Sequence, residues 1–131
     1  MFAGLSIVIE SPAGTYRHHK NGSKTKMLYP YGFVKDTKAV DGDGIDCFLG
    51  PHKTAEYAYV VKQLKPETGI YDEAKVFLGF NTEEETKAAF LAHNTNPRAF
   101  GGITKYHMEV LRRALKDSKQ NPSAIKSKLI R

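Results

Sequence analysis

Apolar and polar positions divide the chain into two regimes. Residues 4–9, GLSIVI, run apolar and β-branched, as a strand does. Ser11-Pro12-Ala13-Gly14 punctuates as a turn. Thr15 to His19 reads as a short strand, and Lys20 to Lys24 as a hairpin turn built on Asn21-Gly22. The aromatic-rich stretch from Lys26 to Lys35 is compatible with extended chain, although Pro30 excludes a central strand position there. Ile45–Leu49 reads as a strand ended by Gly50-Pro51, followed by strands at 56–64 (EYAYVVKQL) and 75–80 (KVFLGF) with a turn at 65–69. Short strands and frequent turns up to residue 80 predict a small barrel. Beyond it the period changes. Thr82-Glu83-Glu84-Glu85 is a capping box that opens a helix running to about His93. After a loop over 94–102, Thr104 is placed to cap a second helix with Met108, Leu111 and Leu115 on one stripe. The predicted class is α+β, a small β-barrel with C-terminal flanking helices.

Composition narrows the function classes. A chain of 131 residues with 40% hydrophobic content, seven Phe and seven Tyr can bury a proper core as one domain. No apolar run approaches the roughly 20 residues of a membrane span. The opening MFAGLSIVIE lacks a basic leader region and a cleavage site. Cys47 is the single cysteine, which excludes a disulfide framework and a thiolate metal site. A cytoplasmic location and no membrane partner are the expectations. The net charge of +6 is confined to one end: residues 112–131 hold seven basic residues against Asp117, and the rest balances. We therefore expect a domain over 1–118 and a basic tail over 119–131. Such a tail suits nucleic acid or an acidic partner, or is simply a solvated helix end. The body does not read as a nucleic-acid binder.

Within that body, DGDGIDCFLG (41–50) crowds three carboxylates into six residues. Their repulsion calls for positive charge nearby, whether a lysine, a metal ion or only solvent. An EF-hand calcium loop fails on spacing, since Ile45, Asp46 and His52 stand where it needs an oxygen ligand, a glycine and a glutamate. Two readings stay open. One is a Mg²⁺ site, with Asp41 and Asp43 aimed to one side of an extended backbone and Gly42 and Gly44 letting it bend. The other is a polar turn whose aspartates satisfy local amides.

The surrounding order of motifs bears on this choice. VIESPAG, YPYGFV and DGDGID occur in that order, and the chain resembles the soluble family I inorganic pyrophosphatases, whose signature is Asp-x-Asp-Pro-hydrophobic-Asp behind a tyrosine-rich segment. YDEAKVFLGF looks like the family's later acid-x-lysine segment. The likeness is nearest to the short pyrophosphatase-like domain of phage and prophage proteins, and covers roughly residues 5–115. It implies an OB-like β-barrel, a Mg²⁺ cofactor (Mn²⁺ as a substitute), a pyrophosphate or nucleotide phosphoanhydride substrate, and a homo-oligomer as in many members. A phage-encoded protein would work in the host cytoplasm.

The resemblance also implies roles. Asp41, Asp43 and Asp46 would be central metal ligands, with Asp43 next to the nucleophilic water. Glu10 would be a further metal or supporting carboxylate. Asp72 and Glu73 compete for a second acidic position. Glu73 has the family's spacing to Lys75, and the choice is left open. Lys75, Tyr31 and Tyr29 would face phosphate, together with one of Arg17, Lys24 and Lys26. Each has a plainer reading: Glu10 as a surface acid, Tyr29 and Tyr31 as core, Lys75 in an exposed pair with Asp72, and the three hairpin cations as solvated. Lys105 is a weaker candidate, through a predicted helix start at Gly101–Lys105. Cys47 is expected to pack in the barrel. Gly44 stands where the signature has proline, and YPYG is two residues shorter than the family segment. Three functions are carried forward: a Mg²⁺-dependent phosphoanhydride hydrolase, a non-catalytic module binding metal and phosphate, and a phage accessory factor docking through its tail on nucleic acid or a host protein.

Overall fold

The computed structural model describes residues 2–37, 44–94 and 96–118. Eight strands form in chain order: β1 (Ile7–Ser11), β2 (Tyr16–His18), β3 (Lys24–Lys26), β4 (Tyr31–Val34), β5 (Ile45–Leu49), β6 (Tyr57–Leu64), β7 (Tyr71–Leu78) and β8 (Phe100–His107). Helix α1 (Glu83–His93) lies between β7 and β8, and α2 (Met108–Ser118) follows β8. Six strands make one mixed sheet in the order β1-β4-β5-β7-β6-β8, while β2 and β3 form a separate hairpin. Among the described residues only the β5–β7 pairing in this sheet is parallel. This is an α+β, sheet-built fold of the OB-like kind. Among the described residues no helix is long and apolar enough to cross a membrane.

Alternation along the central strands creates two cores. Cys47, Val60, Val76 and Leu78 face α2, where Met108, Leu111, Ala114 and Leu115 cover them. The intervening Phe48, Tyr59, Val61 and Phe77 face the other way, onto Ala89 and Phe90 of α1. A period of two in a sheet buried on both sides produces this division. Each large side chain so buried stabilises the fold by roughly 1.5–3 kcal/mol relative to exposure.

The start of α1 matches its sequence signature. Thr82 Oγ1 accepts from the Glu85 amide at 3.0 Å, and Glu85 Oε1 accepts from the Asn81 amide at 3.3 Å. The predicted second helix is different. Residues 100–107 are strand, and the helix begins only at Met108. Pairing with β6 decides this, with Val61 opposite Ile103 and Tyr59 opposite Lys105. A ladder of six paired positions outweighs a lone threonine cap.

Candidate active site

The α1 face of the sheet carries the site. On β7 Glu73, Lys75 and Phe77 alternate onto one side, while a register shift against β6, where Gln63 pairs with Glu73 and Leu64 with Tyr71, leaves Asp72 in a bulge. On β5 Asp46 falls in line with Phe48, and the register of β4 brings Tyr31 opposite Phe48. Four side chains from three strands meet there. Lys75 Nζ donates to Tyr31 Oη at 2.9 Å and lies 2.7 Å from Glu73 Oε1 and 3.4 Å from Asp46 Oδ2. The three N–H donors of the ammonium thus face three oxygens. Nζ is 4.9 Å from the Tyr31 ring centroid, but at 2.9 Å from the hydroxyl the hydrogen bond is the dominant contact.

The electrostatics follow from burial and these partners. Burial works against charge on Lys75, but Tyr31, Glu73 and Asp46 outweigh it and hold the ammonium above lysine's ordinary pKa. Burial pushes the Tyr31 phenol up to about 12, against the pull of Lys75. The hydroxyl stays neutral, accepts from Lys75 and keeps its own proton to donate. For Asp46 the compensating charge sought in the sequence is therefore a lysine.

A cleft of about 230 Å³ opens beside this cluster. The hairpin supplies part of its wall: Arg17 lies 4.6 Å over the Tyr31 ring, with His19 and Thr25 on the same side. His19 Nε2 is 2.8 Å from Thr25 Oγ1. The opposite wall comes from α1, where Thr86, Ala89, Phe90 and His93 form one inward stripe at helical spacing.

The predicted residues divide as follows. Tyr31, Lys75, Glu73, Asp46 and Arg17 come together. Asp72 does not join them: its carboxylate accepts from Gln63 Nε2 at 3.1 Å and is exposed. Lys75 does not pair with Asp72 but with Glu73 and Asp46. Tyr29 takes its plainer reading and packs edge-on to Phe80 at 5.0 Å. Lys24 and Lys26 occupy the outer face of the hairpin, and Lys24 Nζ lies 4.5 Å over Tyr16. Lys105 sits in mid-strand on β8 with its Nζ 4.1 Å over Tyr57, so it has no helix N-terminus beside it and is not part of the cleft. Glu10 is exposed at a bulge in β1, between the partners of Gly32 and Tyr31. Asp41 and Asp43 lie outside the described residues. Cys47 is fully buried, and burial raises its thiol to about 12, so it is core as expected.

His93, Phe90, Phe48 and Gln63 also line the cleft, and no motif announces them. The helical stripe from Thr86 was the available signal. Gly44 has its own reason to be glycine: a Cβ there would lie 2.6 Å from the Phe33 ring, which a proline or alanine would have to displace.

The sequence model of the family described as Inorganic Pyrophosphatase matches residues 1–116. The chain belongs to the inorganic pyrophosphatase family. By family it is a pyrophosphatase-like hydrolase. Its fold is similar to that of an inorganic pyrophosphatase from Neisseria gonorrhoeae, with a TM-score of 0.53 and 17% identity over 89% of this chain and 90% of that one. It is also similar to an inorganic pyrophosphatase from Helicobacter pylori, with a TM-score of 0.51 and 14% identity over 88% and 92%. Identities this low speak for the fold alone. No match is found among curated protein sequences. These relatives are bacterial, and they give no support to the expected likeness to a phage domain.

Proposed function

We propose that this pyrophosphatase-family chain hydrolyses inorganic pyrophosphate in the cleft beside Lys75. The observation that carries the reading is the buried ammonium shared by Tyr31, Glu73 and Asp46 at the cleft's edge. Lys75 and Arg17 bind the anionic substrate and offset charge as it moves toward the leaving phosphate. The longest of the lysine contacts, to Asp46, is the one a phosphate oxygen displaces at least cost. Tyr31 donates its free proton to a second phosphate oxygen and fixes the lysine's orientation.

Among the described residues two carboxylates, not three, stand ready for a divalent cation. Two carboxylates, Asp46 and Glu73, converge on one positive charge, and the nearby sulfur is a buried, protonated thiol. Oxygen donors of this kind suit Mg²⁺, with Mn²⁺ as a substitute. Asp46 and Glu73 would hold it, helped by Asp41 and Asp43 and by Glu10 if its bulge turns it inward. When bound, the ion would acidify a water and neutralise phosphoryl charge.

Phosphate release from pyrophosphate tests both parts. We expect release in Mg²⁺, none with the metal chelated, and a loss on the order of tenfold to hundredfold in Asp46→Asn. Release that ignores chelation would contradict the metal role. Absence of release under every condition would remove the hydrolase reading and leave a binding module.

A further inference from the structure

The Asp46 carboxylate is placed by its backbone more than by its partner. At 3.4 Å its contact with Lys75 is the long one, against 2.7 Å for Glu73. That stretch of backbone has little lateral support. Asp46 is the second residue of β5, and the pairing with β7 begins only at Cys47. At Ile45 and Asp46 the strand is paired, among the described residues, with β4 alone, through Val34 and Phe33. A strand end with one neighbour frays readily. One buried side chain closes it. Thr37 Oγ1 donates to the Val34 carbonyl at 2.6 Å and accepts from the Ile45 amide at 3.0 Å. A single hydroxyl thus ties the last residue of β4 to the first of β5. The turn that delivers it runs through Asp36 at φ 61°, a left-handed conformation that aspartate tolerates better than most side chains. Thr37 is 9% exposed, and Val34 and Ile45 beside it belong to the core under α2. Asp46 alternates to the other face, so the hydroxyl acts from across the strand and does not line the cleft.

Resting on the reading that Asp46 helps to hold Mg²⁺, we propose that Thr37 is a positioning residue for that carboxylate. Its hydroxyl fixes the start of β5 and, one residue on, the place of Asp46 beside Lys75. Without the hydroxyl the strand end loosens back toward Cys47, where β7 takes over, and Asp46 lies within the loosened part. A carboxylate that wanders must be ordered again each time the ion binds, which weakens binding without changing any ligand. Valine and serine separate this role from simple packing. Valine has threonine's shape but no hydroxyl, and leaves the Val34 carbonyl and the Ile45 amide without this partner. Serine keeps the hydroxyl and loses only the methyl.

The test is calorimetric titration of Mg²⁺ into the metal-free full chain, for wild type, Thr37→Ser, Thr37→Val and Thr37→Ala. Phosphate release from pyrophosphate at varied Mg²⁺, and thermal unfolding in chelator, are measured on the same proteins. The expected result is a wild-type affinity in Thr37→Ser, and an affinity weaker by roughly tenfold or more in whichever of Thr37→Val and Thr37→Ala is folded. The Mg²⁺ needed for half-maximal release rises by the same factor, while the rate at saturating Mg²⁺ changes little. A folded Thr37→Val or Thr37→Ala that melts earlier yet binds Mg²⁺ as the wild type does would overturn the proposal and leave the hydrolase reading standing. An equal loss of affinity in Thr37→Ser and Thr37→Val would overturn it too, since the hydroxyl would not be what matters. The expected pattern of affinities with no phosphate release from any form would support the role of Thr37 while defeating the hydrolase reading. A wild type that binds no Mg²⁺ would overturn both the proposal and the metal role.

Discussion

At the scale of single residues, Lys75 and His93 show what a sequence displays and what it hides. Lys75 is legible because acid-x-lysine spacing marks it, and its partner is Glu73, two positions back on the strand, rather than Asp72 in the bulge. Alternation also separates the three hairpin cations. Arg17 and His19 face the cleft with Thr25, whereas Tyr16 and His18 share the outer face with Lys24 and Lys26. Counting cations without assigning faces treats all of them alike. His93 is hidden because nothing local distinguishes it from any helical histidine. Its role comes from Leu28, 65 positions earlier in the chain. Burial, with a smaller contribution from Lys75 on β7, holds its pKa below the ordinary 6.5, against the Ala89 hydrogen bond. A depressed folded value means that the unfolded chain binds more protons in between. Its contribution is therefore full above about pH 6.5 and is lost as pH falls through the folded value. Thermal unfolding should show the melting temperature falling on acidification from neutral pH more steeply in the wild type than in His93→Gln. The same variant should cost about 0.5–1.5 kcal/mol at pH 8 through the lost Leu28 hydrogen bond. Equal slopes in the two proteins would contradict this role.

Among elements, the short edge pairing of β1 with β4 carries more than its length suggests, because it seats Tyr31. Gly32 makes it possible. A Cβ there would fall 1.8 Å from the Val8 carbonyl oxygen and 3.0 Å from the Ile9 Cα, both of them backbone atoms. Gly32→Ala should thus cost more than about 3 kcal/mol, beyond ordinary overpacking, and lower the urea midpoint. A midpoint within error of the wild type would show that β1 is not held as described. Most strands were legible from alternation, and α1 from its cap. The segment at 100–107 was not, since Gly101-Gly102 and Thr104 imitate a helix entry. Only the distant β6 ladder turns it into a strand. Gly101 in turn lies close under β6, where a Cβ would meet the Lys62 carbonyl oxygen at 2.9 Å.

On the scale of the whole molecule, charge is unevenly distributed along the chain. Residues 11–35 hold five lysines and arginines and no acid, and of these five Arg17 lines the cleft. The basic excess at the C-terminal end begins inside α2, where Arg112 donates to the Ala3 carbonyl at 2.6 Å and pairs with Glu109. The tail over 119–131 lies outside the described residues and beyond the family match at 1–116. Its removal should leave the melting temperature and phosphate release unchanged. A large loss of either would tie the tail to the domain. The most direct test of the central claim is the rate of phosphate release from pyrophosphate in Mg²⁺ by wild type and Lys75→Met, with folding of both verified by circular dichroism. The account predicts a folded variant slowed on the order of 10²–10³-fold, as for loss of one preorganised donor to developing charge. A folded variant as fast as the wild type would show that the chemistry, if any, lies away from this cleft.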